Sequence, residues 1–94
     1  MNDFKMKCKT TTAGLPFEYD FEMASVQMAR EYVKRHVGKW SQVPWFMAME
    51  LWVNDDKGLS VGEDNWKPIA EYTLLRREYD TTERIIGPDE LLVK

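Results

Sequence analysis

The stretch Met23–Gly38, MASVQMAREYVKRHVG, constrains the fold more than any other part of the chain. Val26, Ala29, Val33 and Val37 recur at helical spacing, with Met28 and Tyr32 on a flank of the same stripe. Gln27, Arg30, Glu31, Lys34 and Arg35 fall on the opposite side, so the segment reads as one amphipathic helix. Ser25 is placed to cap its start, because the hydroxyl can accept an amide that has no partner within the helix. Gly38 follows the last periodic residue, where a left-handed cap is easiest without a β-carbon. Glu31 pairs by spacing with Lys34 and Arg35, a support of about 0.2–0.5 kcal/mol per pair.

The helix is preceded by two segments of strict alternation. In DFKMKCKT, Phe4, Met6 and Cys8 share one face and Lys5, Lys7 and Lys9 the other. In FEYDFE, Phe17, Tyr19 and Phe21 alternate with Glu18, Asp20 and Glu22. Period two is the signature of a half-buried strand, and the intervening TTAGLP has turn composition. Charge predicts the register of the hairpin: Lys5 opposite Glu22, Lys7 opposite Asp20, Lys9 opposite Glu18, with Met6 against Phe21 and Cys8 against Tyr19. Each such opposite-charge pair contributes about 0.2–1 kcal/mol. A slip by one residue would set lysines against aromatics. The three lysines therefore read as a solvated face neutralised by the neighbouring strand rather than as a phosphate-binding stripe.

After the helix, Trp45–Asn54 is the most apolar segment. Trp45, Met47, Met49, Leu51 and Val53 form one face, and Phe46, Ala48, Glu50 and Trp52 the other. Both faces are largely apolar, which predicts a central strand or one whose second face meets a partner. The loop Asp55–Asn65 is rich in glycine and acid. Trp66–Asp80 is ambiguous between helix and strand, since Ala, Leu, Arg and Glu favour the first and Thr and Tyr the second. A strand is the expectation, because it can pair with Trp45–Asn54. Thr81–Lys94, broken by Gly87-Pro88, reads as a flexible tail, or one that docks through Leu91, Leu92 and Val93. The predicted architecture is an α+β single domain over 1–94: a four-stranded, mostly antiparallel sheet in the order β-β-α-β-β, with the helix packed on one face.

Composition narrows the function classes. Twelve aromatic residues among 94 argue against a chain that never collapses. A net charge of −3 does not favour a dedicated nucleic-acid binder, which usually carries a basic excess. One cysteine cannot close an internal disulfide, and MNDFKMKCK has no apolar core of a signal peptide. The expectation is a cytoplasmic protein. Cys8 and His36 are the only candidates for a thiol–imidazole dyad, and nothing in their spacing supports one. They read instead as a buried thiol and a histidine interacting with the helix C-terminus. One Cys and one His do not make a zinc site. Asp55, Asp56, Glu63 and Asp64 lack the glycine position of a calcium loop, and no phosphate-cradling glycine motif occurs. No cofactor or metal is implied, and an enzyme is the weakest class.

The tryptophans are the informative excess. Trp40, Trp45, Trp52 and Trp66 cannot all be central in so small a core. Exposed aromatic side chains beside charges are the chemistry of protein–protein hot spots. The candidate partner surface is Trp52 and Phe46 on the second face of the apolar strand, with Trp40 and Trp66 at its ends. The acidic loop residues Asp55, Asp56, Glu63 and Asp64 are placed to meet a basic partner or to mimic phosphate. The alternative is a small nucleic-acid-binding domain using Lys34, Arg35, Lys39 and Arg76. A homodimer that pairs the apolar strand across a two-fold axis is compatible with the first reading.

The run FEYDFEMASVQMAR, through Phe21, Ala24, Ser25 and Ala29, resembles a pattern of very small phage and mobile-element proteins, in which a strand leads through a short Ala-Ser step into an amphipathic helix. Anti-CRISPR and other host-takeover factors are among them. The resemblance implies a non-enzymatic inhibitor that binds a larger host protein or ribonucleoprotein complex and blocks its surface. It carries over no functional residue.

Overall fold

A computed structural model describes residues 3–40, 45–54, 66–75, 80–87, 89 and 92. The elements run β1 Phe4–Thr10, β2 Phe17–Phe21, α1 Val26–Trp40, β3 Phe46–Asn54, β4 Trp66–Leu75 and β5 Asp80–Ile85. All strand pairings are antiparallel, and the sheet order is β2-β1-β3-β4-β5. The α+β class with one helix on one sheet face stands, and β3 is the middle strand. The sheet has five strands rather than four. The additional one, β5, lies in the segment expected as a tail.

The helix stripe behaves as its spacing requires. Val26, Ala29, Val33 and Val37 are fully buried against Met6, Met49, Leu51 and Tyr72 in one core. Ser25 caps the start: its hydroxyl accepts the Met28 amide at 3.2 Å, and its carbonyl accepts the Ala29 amide at 3.0 Å. The end differs from expectation. Gly38 lies inside the last turn, which continues through Lys39 to Trp40, and so it is not the cap. Gly38 is exposed with open space around it, so the helix tolerates its small entropic cost there.

The β1–β2 hairpin keeps the expected faces but not the expected register. Phe4 faces Phe21, Lys5 faces Asp20, Met6 faces Tyr19, Lys7 faces Glu18 and Cys8 faces Phe17. This is a shift of two residues, which leaves every side chain on its face. Two contacts account for it. Phe4 stacks on Phe21 with ring centroids 5.7 Å apart. Beyond Thr10 the chain turns away from β2: the Thr11 amide donates to the Trp45 carbonyl at 2.8 Å, and the Gly14 amide returns to the Thr11 carbonyl at 3.1 Å. A β-carbon on Gly14 would stand 2.7 Å from the Trp45 ring, so the loop and the start of β3 approach as closely as a glycine permits.

Two irregularities reset the alternation. The β1–β3 register shifts between Lys9 and Thr10, bringing Thr10 opposite Phe46. Phe46 therefore packs against the core and Met47 is left exposed. In β4, Ala70 faces Leu51 while Pro68 faces Trp52, so Ile69 is the extra residue of a bulge, which suits a strand carrying proline. Ile69 is fully buried, and its carbonyl accepts the amides of Ile86 and Gly87 at 3.0 and 3.3 Å. A β-carbon on Gly87 would meet the Pro68 carbonyl oxygen at 2.4 Å. The chain leaving β5 thus needs glycine to cross the bulge.

Candidate functional site

The face of the sheet opposite α1 carries the charged residues of the alternating strands. One row crosses all five strands as direct cross-strand neighbours: Glu18, Lys7, Glu50, Glu71 and Arg84. Glu50 and Glu71 face each other, an arrangement that is unfavourable for two like charges. Lys9 resolves it from the adjacent position, with its Nζ 3.2 Å from a carboxylate oxygen of each. Arg84 donates to the second oxygen of Glu71 at 3.1 Å. Burial alone would raise the Glu71 pKa; the hydrogen bonds from Lys9 and Arg84 outweigh it and hold the carboxyl below its ordinary value. The same contacts raise the Lys9 ammonium. Lys5 and Lys7 both reach Glu18 at 3.5 Å. The expected pairing of Lys9 with Glu18 is replaced by its bridge to β3 and β4, a consequence of the shifted register.

Trp52 of β3 and Trp66 of β4 lie on this face. Each is half-buried, and each is capped by a lysine. The Lys7 ammonium sits 3.8 Å from the Trp52 ring centroid and the Lys5 ammonium 4.4 Å from that of Trp66. The Trp52 indole N–H donates to Glu50 at 3.3 Å, which fixes the ring orientation. The register sets Trp66 opposite Asn54, two residues from Pro68, the cross-strand neighbour of Trp52. Phe46 is not part of the group, because the bulge turns it to the core side. Trp45 also packs on the core. The expectations placed on Asp55, Asp56, Glu63, Asp64 and Arg76, and on the side chain of Trp40, lie outside the described residues.

The basic helix end is divided rather than gathered. Lys34 stands 3.6 Å from Glu83, while Arg35 and Lys39 are exposed. His36 packs edge-on against Tyr32 at 4.4 Å. Burial and the nearby Lys39 lower its pKa. Cys8 is 2% exposed and its thiol is pushed up by burial. No hydrogen bond joins Cys8 and His36.

A second polar cluster, on the helix side, was not anticipated by the sequence. Glu83 of β5 accepts hydrogen bonds from Arg30 at 2.6 and 2.9 Å and from the Tyr72 hydroxyl at 2.6 Å. The bidentate Arg30 contact holds the Glu83 carboxyl down at about 2 against the opposing effect of burial. The Tyr72 hydroxyl is raised by burial and by Glu83. The one linear signal was Arg30 and Lys34 at helical spacing on the same flank, which is what a shared acid requires. This cluster locks β5 to α1 and is structural. Among the described residues no group of His, Cys, Asp or Glu is arranged to hold a metal, and no helix is long and apolar enough to cross a membrane.

Comparison of the chain with protein-family models, with curated proteins and with solved structures finds no match.

Proposed function

We propose that the chain is a non-enzymatic protein-binding module that engages its partner through the helix-free face of the sheet, and that it acts as a phage-type inhibitor by covering a surface of a larger host protein. The observation that carries this reading is the pair of tryptophans, Trp52 and Trp66, held side by side under lysine ammonium groups rather than under an apolar layer. A cation over an indole is worth roughly 0.5–2 kcal/mol, so such a cover is cheap to displace. A partner that brings carboxylates draws Lys5 and Lys7 aside and gains the two indoles. Trp is the residue type most concentrated in interface hot spots. The ion-paired row from Glu18 to Arg84 then forms a polar rim.

Affinity capture from a lysate of the native host, with and without nuclease, tests the proposal. The wild-type chain should retain a stoichiometric protein after nuclease treatment, and Trp52→Ala/Trp66→Ala should lose it. Equal capture by the variant, or recovery of nucleic acid alone, would overturn the reading.

A further inference from the structure

The outer edge of β2 borders the tryptophan-bearing face and is the end of the sheet on that side. β2 is the first strand of the sheet, and among the described residues no strand pairs with its outer side. Its central residues Glu18, Tyr19 and Asp20 are exposed, Tyr19 by 52%. Edge strands are ordinarily protected by shortness, charged side chains, proline or a bulge. β2 has five residues and two acids, a charge that repels acidic strands and admits basic ones; it has no proline, and its register with β1 is unbroken over all five pairs.

The charge on this edge is of one sign and on one side. Glu18 and Asp20 point to the helix-free face, and Phe17, Tyr19 and Phe21 to the helix side. Tyr19 continues an aromatic shelf that runs through Phe21 to Tyr32, with ring centroids 6.5 and 4.8 Å apart. Both Lys5 and Lys7 are committed to Glu18, so Asp20 has no ion pair among the described residues, although Lys5 is its cross-strand neighbour. The inner side of β2 shows what such a strand accepts. It is occupied by β1, whose lysines and apolar residues alternate in phase with the acids and aromatics of β2. The outer side presents the same two faces to whatever adds there.

We infer that the free edge of β2 accepts an extended segment of a partner protein in which basic and apolar residues alternate, by strand addition. Main-chain hydrogen bonds supply the pairing, a Lys or Arg opposite Asp20 supplies the charge match, and an apolar residue opposite Tyr19 extends the shelf. A second copy of this chain is the wrong occupant. Antiparallel β2–β2 pairing centred on Tyr19 sets Glu18 of each copy against Asp20 of the other, and like charges directly opposite are destabilising.

The test uses the full chain, isotopically labelled, titrated with a short peptide alternating lysine and valine. The same peptide with alternate backbone nitrogens methylated keeps the charge and cannot form a ladder. A third peptide replaces lysine by glutamate. The lysine peptide should shift the amide resonances of residues 17–21, and the methylated and glutamate peptides should not. Asp20→Lys should weaken the lysine peptide about fivefold, from one lost and one reversed cross-strand pair. Met47→Ala, an exposed residue of β3 outside both surfaces, should leave its affinity unchanged. Equal binding of the methylated peptide, shifts confined to other elements, or no binding of the lysine peptide would each overturn the inference.

Discussion

Glu83→Gln should flatten the acid limb of the stability curve. In the folded chain the Glu83 carboxyl titrates at about 2, against an ordinary value of 4.5. The difference is about 2.5 units, and at about 1.36 kcal/mol per unit it links to about 3 kcal/mol of stability. Because the folded value is depressed, this stability is fully present above about pH 5 and is lost as pH falls from there towards 2. Glutamine keeps the shape and can still accept from Tyr72 and Arg30, but it has no charge to titrate. Urea unfolding followed by tryptophan fluorescence at steps from pH 7 to pH 2 measures both proteins. The variant should be less stable than wild type at pH 7, because the buried Tyr72 and half-buried Arg30 lose a charged acceptor. The gap should close by about 3 kcal/mol on acidification. The other carboxylates, Glu71 among them, are common to both curves and cancel in the difference. Curves that run parallel from pH 7 to pH 2 would refute the assignment of Glu83 as the charge that Arg30 holds.

Three further outcomes follow from particular contacts. Gly87→Ala should cost about 1–3 kcal/mol in urea unfolding, because its β-carbon would meet the Pro68 carbonyl oxygen at 2.4 Å and the Ile69 Cα at 2.9 Å, both backbone atoms. Lys9→Ala should raise the Glu71 pKa, read by a carboxyl-resolved NMR titration, since it removes a hydrogen bond and leaves Glu71 facing Glu50. Cys8 should resist a thiol reagent in the native state and react only on unfolding, because it is 2% exposed with its thiol pKa raised.

The parts of the fold that were legible in the sequence are those where one residue's face is decided by its immediate neighbours. The alternation of Phe4, Met6 and Cys8 with three lysines, the stripe from Val26 to Val37 and the Ser25 cap are of this kind. The hairpin register was not legible, because a two-residue shift keeps every side chain on its face, and the Phe4–Phe21 stack and Thr11–Trp45 hydrogen bond that decide it are long-range. β5 was hidden because its core-side position is Glu83, an acid made tolerable there by Arg30, 53 residues away. The phase of Phe46 and Ile69 was hidden by bulges, which no alternation encodes. Of the candidate surface, the excess of tryptophan was legible, but strict alternation sets Trp52 beside Phe46, which the bulge turns to the core side. The lysine caps of Trp52 and Trp66 were not legible, since they depend on the order of β1, β3 and β4 in the sheet.

The most direct test of the tryptophan face is a side-chain oxidation footprint of the captured complex against the free chain. Trp52 and Trp66 should be labelled in the free chain and protected in the complex, while Met28 on the helix side, 51% exposed, keeps its labelling. Unchanged labelling of both tryptophans with new protection of Met28 would contradict the account and move the interface to the helix.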